Sequence, residues 1–176
     1  MHRFTLRLAA AAIAAASALS AASAGPQYVD GTGFAVSGYD VVAYFDLAQA
    51  PLGQSQPAPV KGRAGITAEH NGAVFAFSSE ANRDRFLADP ERYAPQFDGH
   101  CAYGVAKGGK VPGNPELWRI DGGKLYLNIT SRIARNWERD VPGYLEEAAG
   151  EWPALEPDAA SADPIPRFES TAPLTD

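Results

Sequence analysis

Apolar and polar positions change their period several times along this chain, and each change marks an element. Ile66-Thr67-Ala68-Glu69-His70 and Ala73-Val74-Phe75-Ala76-Phe77 are β-prone runs on either side of Asn71-Gly72. That dipeptide tolerates the positive φ angles of a tight turn, so the pattern predicts a β-hairpin. Ser78-Ser79 then offers a side-chain oxygen to free amides and predicts a helix from Glu80 to about Ala88. Phe86 and Leu87 form its apolar edge, Arg83, Asp84 and Arg85 its wet side, and Pro90 ends it. A second hairpin is predicted from Leu117-Trp118-Arg119-Ile120, the turn Asp121-Gly122-Gly123, and Lys124-Leu125-Tyr126-Leu127-Asn128. Alternation places Leu125 and Leu127 on one face and Lys124, Tyr126 and Asn128 on the other. Ser131 is expected to cap a helix running to about Asp140, with Ile133 and Trp137 on one face. Pro142 is expected to break it, and Tyr144 to Trp152 predicts a last helix. Hairpins mixed with several short helices predict a small α+β domain. No internal repeat is evident.

The ends of the chain depart from this pattern. A basic start with Arg3 and Arg7, an Ala/Leu run from Leu8 to Leu19 and Ala22-Ser23-Ala24 predict a secretory signal peptide over 1–24 and a mature start at Gly25. The apolar run is too short and too rich in Ala for a membrane span of about 20 apolar residues, and no integral membrane segment is expected after signal removal. The chain is therefore expected to be periplasmic or secreted. The domain is expected over 28–152. Residues 48–63, rich in Pro, Gly and Gln, predict a long surface loop. Residues 153–176 hold five prolines and predict a disordered, acidic, Pro-rich tail.

Charge narrows the function classes. The formal charge of −6 becomes −8 once Arg3 and Arg7 leave with the first 24 residues. Such a chain lacks the cationic excess that neutralises phosphate, which argues against nucleic acid and anionic membrane surfaces as partners.

Candidate chemistry centres on Cys101, the only cysteine, in Gly99-His100-Cys101-Ala102-Tyr103-Gly104. A lone thiol cannot close an internal disulfide. It is a buried apolar residue or a nucleophile, redox centre or soft-metal ligand. His100 and Cys101 are adjacent, and adjacent side chains diverge on a helix or strand, so they need not meet on one metal. His70 is expected to be an exposed residue beside the first hairpin turn. In Gly38-Tyr39-Asp40-Val41-Val42-Ala43-Tyr44-Phe45 a single acid among apolar residues must pair, cap a turn or face water. Gly108-Gly109-Lys110 lacks the spacing of a phosphate loop.

Together these segments resemble the YHS-domain family, specifically its exported branch with a Gly-Tyr-Asp-x-Val-Ala-Tyr-Phe start. The resemblance is carried by Gly38 to Phe45, His70 to Ser79, Asn82 to Phe86, Asp89 to Gln96, Gly99 to Tyr103, Gly122 to Asn128, Trp137, Pro142 to Tyr144 and Trp152. It implies a small α+β module associated with metal handling. Metal-linked members carry cysteine where this chain has Ser78, and often another near Asn82; neither thiol is present here. The exported branch is taken to include selenoproteins with selenocysteine at the Cys101 position, which implies a reactive rather than structural place. The resulting expectation is a pocket around Cys101, walled by Asp40, Tyr44, Tyr103, Tyr126 and Asn128, that binds a metal ion, copper first, or a small ligand. Cys101 and His100 would be the metal ligands. Two alternatives stand beside it: a single-cysteine thiol redox protein with Cys101 as the catalytic residue, and a non-catalytic interaction module with a protein partner.

Overall fold

In the computed structural model, residues 26–175 are described; the expected signal peptide over 1–24 lies outside the described residues. The architecture is a small α+β fold built on two antiparallel hairpins. Strand β1 (Arg63–His70) pairs with β2 (Ala73–Phe77), and β3 (Asn114–Asp121) pairs with β4 (Lys124–Asn128), in two separate sheets. The helices are α1 (Glu80–Ala88), α2 (Pro90–Tyr93), α3 (Ala102–Ala106), α4 (Ser131–Trp137) and α5 (Val141–Leu155). Both hairpin turns place two successive residues in the left-handed region, Asn71 and Gly72 in the first and Gly122 and Gly123 in the second. That twist matches the strands they join.

The two hairpins belong to two halves built to one plan, a repeat that the residues alone do not display. Each half opens on three left-handed residues, Val36-Ser37-Gly38 in the first and Phe97-Asp98-Gly99 in the second. Next comes an isolated bridge, Tyr39 to Lys61 and His100 to Pro112. The Asp40 N–H donates to Val60 O at 2.9 Å and the Cys101 N–H to Val111 O at 2.9 Å. The Gly62 N–H donates to Gly38 O and the Gly113 N–H to Gly99 O. A Cβ on Gly62 would fall 2.6 Å from the Ala76 backbone, and one on Gly113 would fall 2.5 Å from Gly99 O, so both sites need glycine for close approach. Each long strand bulges at the same place, between Arg63 and Thr67 and between Asn114 and Trp118. Ser79 caps α1 through the Asn82 N–H, and Thr130 caps α4 through the Ile133 N–H. Asp89 and Asp140 then begin α2 and α5. From Val60/Val111 to Tyr93/Tyr144 the counterparts keep one constant spacing.

Both predicted hairpins and the Ser79-capped helix are present. The later helices differ from expectation. Thr130, not Ser131, caps α4, which ends at Trp137. Pro142 does not break a helix but sits in the first turn of α5, where a missing N–H costs nothing. Pro90 likewise opens α2.

The main core gathers Tyr44, Phe75, Phe77, Phe86, Trp118, Leu125 and Leu127 between the halves. A smaller cluster of Ala102, Tyr126, Trp137 and Val141 lies in the second half. Tyr126 and Asn128 are buried as well as Leu125 and Leu127, so β4 is covered on both faces.

The tail is laid along the body rather than disordered. The Leu174 N–H donates to Gly62 O, and the Ala64 N–H donates to Leu174 O. Ser170 Oγ donates to Ser37 O at 2.6 Å, and Ile165 and Ala172 are buried. Composition suggested disorder because the anchoring groups are backbone atoms and a few isolated apolar side chains, which leave no periodic pattern.

Candidate functional site

Cys101 is the N-cap of α3 and is 0% exposed. Its thiol donates to Asn128 Oδ1 at 3.5 Å, and Sγ accepts the Gly104 N–H at 3.4 Å. Burial pushes the thiol pKa up, against backbone groups of Gly104, Ile129 and Tyr103 that pull it down. A protonated, enclosed thiol is a poor nucleophile.

His100 is also fully buried, edge-on to Tyr28 and tilted against Trp152. Nδ1 lies 2.9 Å from Phe97 O, and Nε2 lies 3.1 Å from the Ser161 backbone N. A carbonyl only accepts and an amide only donates, so the proton is on Nδ1 and Nε2 is the acceptor. Burial lowers the His100 pKa to about 4, which keeps the ring neutral.

Copper can be tested against these donors. Both ring nitrogens of His100 are spent within the protein. The Cys101 sulfur is enclosed. Ser78 and Asn82 are turned to Asp40: Ser78 Oγ donates at 2.6 Å and Asn82 Nδ2 at 2.7 Å. Among the described residues no three His, Cys, Asp or Glu side chains cluster as a metal group. The arrangement does not fit copper.

The six residues grouped around Cys101 by sequence separate into two places. Asp40 stands in the first half where Cys101 stands in the second. Its Oδ1 accepts the Val42 and Ala43 N–H groups, and its Oδ2 accepts from Ser78 N, Ser78 Oγ and Asn82 Nδ2. With both oxygens saturated, the carboxylate is a structural clamp, and it does not wall the Cys101 site. Tyr44 lies in the main core, packs edge-on to Trp118 and donates to Pro115 O. The second half does unite Cys101, Asn128 and the Tyr103 backbone, since the Tyr103 N–H donates to Asn128 Oδ1 at 3.3 Å. The Tyr103 ring packs on Tyr144, and Tyr126 packs on Phe97 and Trp137. His70 is half-buried against Phe86 rather than exposed.

Asn128 connects Cys101 to open space. It lines a cleft of about 420 Å³ bounded by loop residues 53–58, β3 and α4. The Tyr103 N–H requires an acceptor, which fixes Oδ1 inward. Nδ2 is then the outer arm, without a partner among the described residues. Trp137, also in the cleft wall, is 0% exposed, and its Nε1 has no hydrogen-bond partner. The Trp118 indole is different, since its N–H donates to Pro57 O.

The predicted surface loop forms one wall of the cleft and is firmly held. Arg119 donates from Nε and Nη2 to Glu138 Oε1 at 3.0 and 2.7 Å. These side chains are 7% and 12% exposed. Arg119 also reaches Ala50 O and Pro51 O, and Glu138 Oε2 accepts the Gly53 N–H. Gln49 pairs with the Ile120 backbone like an added strand residue, accepting its N–H and donating to its C=O.

Sequence reasoning placed Trp137 as a helix-face residue and overlooked Arg119 and Glu138. The available signal was the comparison of halves, in which Asn128 stands where the first half has Phe77 and Trp137 where it has Phe86. No family model, no curated protein and no solved structure matches this chain. The YHS resemblance therefore rests on its motifs alone. Among the described residues no helix is long and apolar enough to cross a membrane.

Proposed function

We propose that this chain is an exported, YHS-like binding module that holds a small molecule in the cleft between loop 48–63, β3 and α4. Asn128 is the polar contact at the cleft floor, and Cys101 is the neutral thiol behind it that fixes its orientation. The observation that carries this reading is the Asn128 amide. One arm is tied down by Cys101 and the Tyr103 N–H, and the other is unspent at the wall of a cavity of ligand size. The small-ligand branch is favoured over copper because the donors a copper ion needs are already engaged. It is favoured over thiol redox chemistry because Cys101 is enclosed and its pKa is raised.

Native mass spectrometry of protein recovered from its exported compartment tests the reading. The expected result is a small organic adduct on the wild type that is lost in Asn128→Leu. A copper adduct lost in Cys101→Ser but kept in Asn128→Leu would overturn it.

A further inference from the structure

The tail beyond α5 crosses both halves, and the body meets it with a fitted surface. The Ser161 N–H donates to His100 Nε2 at 3.1 Å, and the Tyr28 hydroxyl donates to Asp163 O at 3.0 Å. Farther on, Ile165 and Ala172 are buried, and Phe168 packs against Tyr39. The Pro173 ring rests on Gly38, where a Cβ would overlap it. At the end, Leu174 exchanges two backbone hydrogen bonds with Gly62 and Ala64, as an added parallel strand does. The second half has no such edge, because the counterpart of Ala64 is Pro115, which has no N–H to give. Apart from Ser170 Oγ to Ser37 O, these hydrogen bonds engage the tail's main chain. Any polypeptide on the same path offers the same groups.

The tail fills this surface incompletely. A cavity of about 370 Å³ remains, with Ile165 and Phe168 of the tail on one side and Tyr28 and Val29 of the body on the other. The tail also brings like charges together. Asp30 and Asp163 both line the cavity, and among the described residues no Lys or Arg does. Burial, with the charges of Asp30 and Asp163 added, pushes the Tyr28 pKa up to about 12. From this misfit we infer that the surface is a groove for an extended segment of another polypeptide, one with a basic residue at the place of Asp163. The tail is the resident occupant, and the partner displaces it. His100 Nε2 and the Tyr28 hydroxyl then read an N–H and a C=O two residues apart, as they do in the tail. The basic residue meets Asp30 in place of a second acid, which exchanges repulsion for attraction. No residue lining this cavity lines the cleft at Asn128, so the groove does not depend on a ligand there.

Two fluorescent peptides spanning 157–176, one with the native sequence and one carrying Asp163→Lys, test the inference on the intact chain by anisotropy. Ile165→Asp with Ala172→Asp frees the resident tail, and this variant is expected to bind the native peptide. Wild-type protein, whose own tail competes at high effective concentration, is expected to bind it at least about ten-fold more weakly. The Asp163→Lys peptide is expected to bind about three-fold more tightly than the native one, a gain lost in high salt. Tyr28→Phe in the freed variant is expected to weaken both peptides about five-fold. A freed variant that binds neither peptide, with Cys101 still shielded from a thiol reagent, would overturn the groove. So would a freed variant that exposes Cys101 in native buffer, since the tail would then be part of the fold and not an occupant. Equal affinity for the two peptides at low salt would overturn the basic partner. Wild-type dimers that dissociate on addition of the native peptide would assign the groove to a second copy instead.

Discussion

At the start of α3 the Cys101 thiol meets only neutral partners, the Asn128 amide and backbone N–H groups, in a site without solvent. Those surroundings hold it as S–H. Thiol-specific labelling should therefore follow unfolding: in native buffer an aromatic disulfide reagent leaves Cys101 unmodified, and in denaturant it reacts at once. Fast labelling of folded protein would return the redox reading. Asp40, in the equivalent place of the first half, is the opposite case, a carboxylate whose two oxygens accept five hydrogen bonds. Asp40→Ala strands those buried donors and should cost about 3 kcal/mol in chemical denaturation, beyond the range of a single neutral hydrogen bond. A loss below about 1 kcal/mol would show that water or another acceptor takes over. The sequence indicated that Asp40 must pair, but its partners Ser78 and Asn82 lie 38 and 42 residues away, where no local pattern reveals them.

Both hairpins were legible because their signal is local: β-prone runs around Asn71-Gly72 and Gly122-Gly123. The repeat that contains them was not. Few of its defining positions keep their residue, among them Gly62/Gly113, Gly72/Gly123, Asp89/Asp140 and Tyr93/Tyr144. What the halves share is backbone geometry, and many side chains can satisfy it. Loop 48–63 also lengthens the first half and shifts the spacing between its opening turn and its hairpin. That loop is a defined element because Arg119 and Glu138 fasten it from two different elements. Glu138→Gln leaves a buried guanidinium without its counter-charge and should cost about 3 kcal/mol. The same change should open the chain near Gly53 to limited proteolysis, and an unchanged cleavage pattern would mean that Gln49 and Trp118 suffice to hold the loop. Thr130→Ala removes the α4 cap and should cost about 1 kcal/mol. It should also weaken ligand binding, since α4 forms one wall of the cleft.

Across the whole molecule, two buried groups give opposite responses to acid. The His100 pKa is lowered by burial to about 4, so its contribution is fully present above the ordinary histidine range and is lost as pH falls toward 4. Asp98, whose pKa is raised to about 6 chiefly by burial, behaves in reverse. It binds a proton more readily in the folded state, so it adds stability as pH falls from 6 toward 4. The two offset each other within that window. Asp98→Asn removes the offset, and its stability should fall more steeply than wild type between pH 6 and 4; a parallel decline would contradict the assignment. The same two residues flank Gly99 at the entrance to the second half, whose opening turn leads on to Cys101. Beyond that turn the second half differs from the first in one functional respect: it places the outer arm of the Asn128 amide at a cleft. The measurement that tests this most directly is the side-chain N–H spectrum of the intact protein recovered with its small-molecule adduct, before and after the adduct is removed. The Asn128 amide resonances should move on removal, while the Trp118 indole and the His100 ring stay in place. Asn128 resonances that stay still when the adduct is removed, with His100 shifting instead on addition of cuprous ion, would contradict the account.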